Sequence, residues 1–208
     1  MDKSVVIGLT GQTGAGKSTV AAAVLSETGC AVIDADYIAR EVIKEDNGLL
    51  FRLKEEFGDE IVDESGVLCR STLARKAFAS KQKTKRLSEI THPFILSKIQ
   101  KEINKLQKKG IKIILIDAPL LFESGADRFC DVVIAVLADE KVRMRRIIKR
   151  DHLSEEAAKG RMRAQNPEKY YRTKADYLLD GELCKEELCK KAKTLLSRIM
   201  EDRHEKRY

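Results

Sequence analysis

The chain has 208 residues, enough for one well-buried α/β core with room for a small insertion. With 43% hydrophobic and 35% charged residues it is too apolar for disorder, and apolar runs such as Ile113–Ile116 are of strand length, too short to span a membrane. The formal charge of +7 is uneven, and five cysteines (Cys30, Cys69, Cys130, Cys184, Cys189) without CxxC spacing speak against a metal site and for a reducing, cytoplasmic setting.

The first apolar run, Val5–Thr10, reads as a strand, and too few apolar residues precede its glycines to make a signal peptide. It leads into GQTGAGKS, residues 11–18, which matches GxxxxGK[ST] at every fixed position. A helix follows, expected to carry Val20, Val24 and Leu25 on one face. Glycines let the backbone take positive φ and turn successive N–H groups onto phosphate oxygens, and the helix N-terminus adds its dipole. Gly14, Ala15, Gly16, Lys17, Ser18 and Thr19 are therefore the expected phosphate cradle. Lys17 is placed to reach β- and γ-phosphates, and the Ser18 hydroxyl to ligate Mg²⁺. The pattern and its context identify the fold as that of a P-loop NTPase.

A short strand, Ala31–Ile33, delivers Asp34 and Asp36 to its carboxyl end, the edge where ligands sit in open α/β sheets. Two carboxylates one residue apart in a turn point differently, so at most one acts as a general base. Asp34 serves either there or as the cap of a helix beginning near Tyr37. The interval from about 45 to 110 is almost entirely helical and reads as an insertion on the substrate side. Within it Leu87, Ile90, Phe94, Ile95, Ile99, Ile103 and Leu106 share one helix face, with Pro93 expected to mark a kink or restart. Further strands are predicted at Ile111–Ile116, which ends at Asp117, at Val132–Val136 and at Tyr177–Leu179, before a last helix bearing Leu188, Ala192, Leu195, Leu196 and Ile199. Alternation of strand and helix implies a parallel five-stranded sheet flanked by helices.

Residues 140 to 172 hold eleven Lys or Arg against five acids. Such a cluster binds nucleic acid, closes over a polyphosphate, or is a solvated helix face. No aromatic residue lies between 140 and 169 to stack a base, which speaks against single-strand binding. Two four-residue matches to GTPase switch patterns, Asp63–Gly66 (DxxG) and Thr173–Asp176 (a variant of [NT]KxD), lack the buried strands such loops should follow. A motor would need a longer chain. A small-molecule kinase remains, with a nucleoside or nucleotide monophosphate as the alternative acceptor.

The chain resembles the dephospho-CoA kinase family along nearly its whole length. The features in register are GLTGQTGAGKSTVA (8–21), DAD (34–36) followed by Ile38-Ala39-Arg40-Glu41-Val42, ITHP (90–93), PLLFE (119–123), CDVVIAV (130–136) and RIIKRDHLSEEAAKGRMRAQ (146–165). The resemblance implies transfer of the ATP γ-phosphate to the ribose 3′-hydroxyl of dephospho-CoA. It implies one unit in three parts: a core (1–44, 111–138, 167–208), a helical CoA-binding insertion (about 45–110) and a lid (about 139–166). By the same likeness Asp36 is the base, and Arg146 and Arg150, four apart on one lid face, close on the phosphates, Arg146 with a catalytic role. Asp117 resembles the acid that supports Mg²⁺ through water, or else caps the next turn; His92 contacts substrate or is structural. ATP and Mg²⁺ are the expected cofactors, and neither nucleic acid, membrane nor an obligate protein partner is called for. Two departures stand out: Gly11-Gln12 replaces a Gly-Gly pair, and ADYLLDGE (175–182) lacks the asparagine usual near Gly181.

Overall fold

The computed structural model describes residues 4–205, with side chains as far as residue 202. Its five-stranded sheet comprises β1 (Val5–Gly11), β2 (Cys30–Asp34), β3 (Ile113–Asp117), β4 (Val132–Leu137) and β5 (Tyr177–Asp180), in the order β2-β3-β1-β4-β5. All five predicted strands are present. The pairs β1/β3, β1/β4 and β4/β5 are parallel, with Leu9 beside Asp117, Thr10 beside Ala135 and Leu137 beside Asp180. Every residue of β1 is buried, as is each of Ile113–Ile116. That is why these strands read as unbroken apolar runs, since a central parallel strand is covered on both faces.

The helices are α1 (Lys17–Leu25), α2 (Ala35–Glu45), α3 (Asn47–Phe57), α4 (Arg70–Ala77), α5 (Lys81–Lys108), the single turn α6 (Leu121–Ser124), α7 (Glu140–Asp151), α8 (Glu155–Arg163), α9 (Glu168–Lys174) and α10 (Lys185–Glu205). The chain divides into two compact units. The first comprises residues 1–33 and 105–208, the second Asp34–Asn104.

In the first unit, Val20, Ala21, Ala23 and Val24 of α1 share one core with Leu188, Ala192, Leu196 and Ile199 of α10 and with Ile7 and Leu9 of β1. Leu25 does not join them: it is 61% exposed. Val20 and Val24, four apart, define the buried stripe, and the next residue lies a further 100° around the helix. A smaller core sets Tyr171 of α9, 1% exposed, against Ala135 and Leu137 of β4. The helical pair α7 and α8 buries its own cluster of Ile147, Ala158 and Met162.

In the second unit, Leu49, Leu53 and Phe57 recur every four residues along α3 and are buried with Ile61, Leu73 and Ala77. Helix α5 runs through Pro93 as one element and does not restart there. Its buried residues are Ile90, Thr91, Leu96, Ile99 and Ile103, so Leu96 takes the core position expected of Ile95. The Asp63–Gly66 match is a tight turn: the Asp63 carboxylate accepts from Ser65 N and Val67 N, both at 2.9 Å, beside an antiparallel Val62–Leu68 bridge. In the first unit Asp176 accepts from Val133 N at 2.8 Å and so closes the start of β4. Both residues therefore hold backbone in place. No helix among the described residues is long and apolar enough to cross a membrane.

Candidate phosphate-binding and catalytic site

Strand β1 ends at Gly11, and the loop that follows reverses into α1 at Gly16, which caps that helix in the left-handed region at φ 110°. An L side chain strongly resists that conformation, so glycine is required there. Ala15 N donates to Gln12 O at 3.1 Å and Thr19 N to Gly16 O at 3.0 Å, closing the loop around the N-terminus of α1. Ser18 is exposed in the first turn. Lys17 pairs with Asp117, and the two side chains are only 16% and 15% exposed. The sheet register explains the meeting: Asp117 ends β3 directly beside Leu9 of β1, at the carboxyl edge where the loop begins. The helix turn α6 has no side-chain cap, so the ion pair accounts for Asp117 and capping does not.

Behind the loop lies the connection after β5. Gly181 N donates to Leu137 O at 2.7 Å. The Arg146 guanidinium, projecting from α7, donates through Nη1 to Gly181 O at 2.6 Å and, at longer range, to Gly14 O at 3.3 Å and Ala15 O at 3.5 Å. A Cβ on Gly181 would lie 1.8 Å from Ala15 O, so only glycine allows the two backbones this approach. Acidic side chains secure the same connection where the usual asparagine is missing: Asp180 accepts from Glu182 N, and Glu182 from Asp139 N, each at 2.9 Å. Asp139 in turn caps α7 by accepting from Lys141 N at 2.8 Å.

The remaining predicted residues take different places. Arg150 grips the adjacent Asp151 with two bonds of 2.7 and 2.8 Å, and Arg161 reaches the same carboxylate at 2.6 Å. These bonds, the Arg150 pair first, hold the Asp151 carboxyl below the usual range. Arg150 is thus engaged with Asp151 at the end of α7, whereas Arg146 is engaged with the loop. In the second unit, Asp34 caps α2 by accepting from Tyr37 N at 2.9 Å, and Asp36 stands exposed in the first turn. His92 is half-buried on α5, and burial lowers its pKa, favouring the neutral ring.

Several residues of this site carried no role in the sequence analysis. Thr13 N donates to Gln165 Oε1 at 2.7 Å, and Gln12 Nε2 donates to Asn166 O at 3.1 Å. Arg143, 7% exposed, donates through Nε to Ala138 O at 3.1 Å. Gln165 closes the last motif in register and Gln12 is a departure from the usual loop; these were the only signals available.

A glycine loop of aligned N–H groups on a helix N-terminus, with a sheltered lysine, is equipped to hold a polyphosphate and little else. The model of the family described as dephospho-CoA kinase matches residues 5–186. The chain belongs to the dephospho-CoA kinase family. A dephospho-CoA kinase of Corynebacterium glutamicum is 38% identical over 194 residues, which cover 93% of this chain and 96% of that protein. A solved structure from Thermus thermophilus superposes with a TM-score of 0.78 at 32% identity, covering 95% of this chain and 98% of the other. The dephospho-CoA kinase of Campylobacter jejuni gives 0.61 at 25%, covering 93% and 96%. As a member of this family the chain is an ATP-dependent kinase of coenzyme A biosynthesis.

Proposed function

We propose that the enzyme transfers the γ-phosphate of ATP to the 3′-hydroxyl of the ribose of dephospho-CoA, giving coenzyme A and ADP in the cytoplasm. The observation that carries this reading is the phosphate loop itself, built at the carboxyl edge of the sheet in a chain whose family match spans residues 5–186. N–H groups of Gly14 to Thr19 receive the phosphates, and Lys17 leaves Asp117 to bridge β- and γ-oxygens. Ser18 and Asp117 offer one hydroxyl and one carboxylate. Hard oxygen donors of this kind suit Mg²⁺, which takes few protein ligands and completes its shell with water and phosphate. Among the described residues no group of three or more His, Cys, Asp or Glu is arranged to hold a metal, so the fit is to an ion shared with a nucleotide. Ser18 would hold it directly and Asp117 through water; bound there, Mg²⁺ supplies neutralisation of β- and γ-phosphate charge.

We assign the proton transfer to Asp36. Asp36 lies in the first turn of α2, two residues past the Asp34 carboxylate that caps this helix at Tyr37 N, and is the member of the pair that the family resemblance points to. As the 3′-oxygen bonds to the γ-phosphorus and the bond to the β–γ bridging oxygen breaks, the hydroxyl proton passes to Asp36 and ADP leaves. We assign Arg146 to stabilising charge that develops on the phosphoryl group once it leaves the loop carbonyls, and Arg150 to joining the phosphates when its pair with Asp151 opens. The basic stretch thus serves a polyphosphate, and no nucleic-acid partner is invoked. ADP release measured with dephospho-CoA, AMP, adenosine and pantetheine as acceptors tests the reading. Dephospho-CoA should be used far better than the rest, and preference for AMP or a nucleoside would overturn it.

A further inference from the structure

We propose that Gln12 and Gln165 form a clasp that fixes the C-terminal root of the lid to the phosphate loop, making both of them positioning residues for phosphoryl transfer. The inference rests on the kinase reading above only for its catalytic consequence. Two adjacent loop residues bond two adjacent residues of the connection between α8 and α9, in reciprocal fashion. The Gln12 side chain donates to the backbone carbonyl of Asn166 at 3.1 Å, and the backbone of Thr13 donates to the side-chain carbonyl of Gln165 at 2.7 Å. The far side of the connection is anchored as well. Asn166 Nδ2 donates to Glu123 Oε1 of α6, and Pro167 opens α9, whose Tyr171 is buried against β4.

Upstream of Gln165 the support changes character. Helix α8 buries Ala158 and Met162 in a small cluster with Ile147 of α7 that is separate from the sheet cores. Helix α7 is joined to the phosphate loop through Arg146, and the clasp ties the other end of the pair, past α8, to the same loop. The clasp also fixes the N–H direction of Thr13, the residue just before Gly14 in the cradle.

Gln12 keeps this position at a cost. It is 5% exposed, and its Oε1 is buried with no hydrogen-bond partner. The amide cannot rotate to relieve that atom, because its carbonyl would then face the Asn166 carbonyl. A buried acceptor without a partner is destabilising, and the bond donated to Asn166 O is what offsets that cost. The amide is explained by the bond it donates.

Exchange and proteolysis are measured on the full chain without nucleotide, so that this response is independent of the acceptor, and turnover is measured separately. Breaking one such bond should raise local opening roughly two- to ten-fold. Gln12→Met and Gln165→Met should each speed amide exchange over residues 160–168, and tryptic cleavage at Arg161 and Arg163, by that factor, and lower kcat similarly while KM for ATP moves less. Gln12→Met removes one orphan acceptor, Gln12 Oε1, and creates another, Asn166 O, so the melting temperature should move little while the exchange response stays local. Gln165→Glu keeps an acceptor for Thr13 N–H and should restore exchange protection; Gln12→Glu cannot donate and should not. Wild-type exchange in Gln12→Met, or a lower melting temperature with exchange raised evenly over the chain, would overturn the clasp. Failure of the acceptor screen with the lid response intact would sink the substrate assignment and leave the clasp standing.

Discussion

Gly181→Ala places one methyl group where the connection after β5 meets the phosphate loop. Its Cβ would lie 1.8 Å from Ala15 O, 2.9 Å from Ala15 C and 3.0 Å from Leu137 O. Non-bonded heavy atoms rest at about 3.5 Å, so the two backbones must part by roughly 1.5 Å. Neither is free to do so. Gly181 is tied to Leu137 O by its N–H at 2.7 Å and to Arg146 by its carbonyl at 2.6 Å, and Ala15 is 1% exposed. Overpacking of this kind costs about 1–3 kcal/mol, and loss of the charged hydrogen bond from Arg146 about 1.5–3 more. For a chain of this size that lowers the melting temperature by roughly 5–25 °C. If the loop is what moves, a displacement above 1 Å at the phosphates costs on the order of 10²-fold in turnover. Calorimetry together with single-turnover ADP formation measures both. A variant with the melting temperature and kcat/KM of the parent would refute the packing argument. A lower melting temperature with unchanged ATP kinetics would show that the connection yields and the loop does not.

Asp36→Asn should lower kcat by about 10²–10⁴ with little change in ATP affinity, the range for loss of a general base; full single-turnover activity would remove Asp36 from that role. Asp34→Ala should instead lose about 1 kcal/mol of stability through the cap on Tyr37 N and retain most turnover, which thermal denaturation beside rate measurement separates. Arg146→Ala should lower kcat by roughly 10³–10⁵ if its charge acts on the developing transition state. A raised KM for ATP with kcat intact would mean that its bonds to the loop and Gly181 carbonyls merely hold the ground state. The thiols should differ in reactivity: hydrogen bonds from Ser71 and Thr72 lower the Cys69 pKa to about 7, whereas burial pushes Cys130 up to about 12. The thiolate is the nucleophile, so iodoacetamide labelling of Cys69 should rise to half its maximum near pH 7, with Cys130 unlabelled up to pH 9. Equal rates at both, read by mass spectrometry, would contradict these environments.

The central strands β1 and β3 were legible because burial on both faces leaves continuous apolar runs, and the phosphate loop because its eight residues are contiguous and each fixed position has a local reason for its type. Helix faces were legible to within a residue: Val20 and Val24 face the core while Leu25 does not, and on α5 Leu96 is buried where Ile95 was expected. A 3.6-residue period identifies a stripe but not which flank of it the neighbouring elements cover. What sequence could not supply were partners set by tertiary register. Lys17 meets Asp117 because β3 lies beside β1, 100 residues downstream, and Gln12 meets Asn166 across 154. Arg146 draws on both the phosphate loop and the connection after β5. Gln12 shows the boundary most clearly. Position 12 is variable in the pattern, so the motif assigns it nothing. Only the structure shows its side chain buried, its amide nitrogen oriented by one bond and its amide oxygen left without a partner. A local motif specifies what must touch the phosphate; the residues that hold the motif still come from wherever the fold delivers a donor or an acceptor, and there substitution need only preserve the bond.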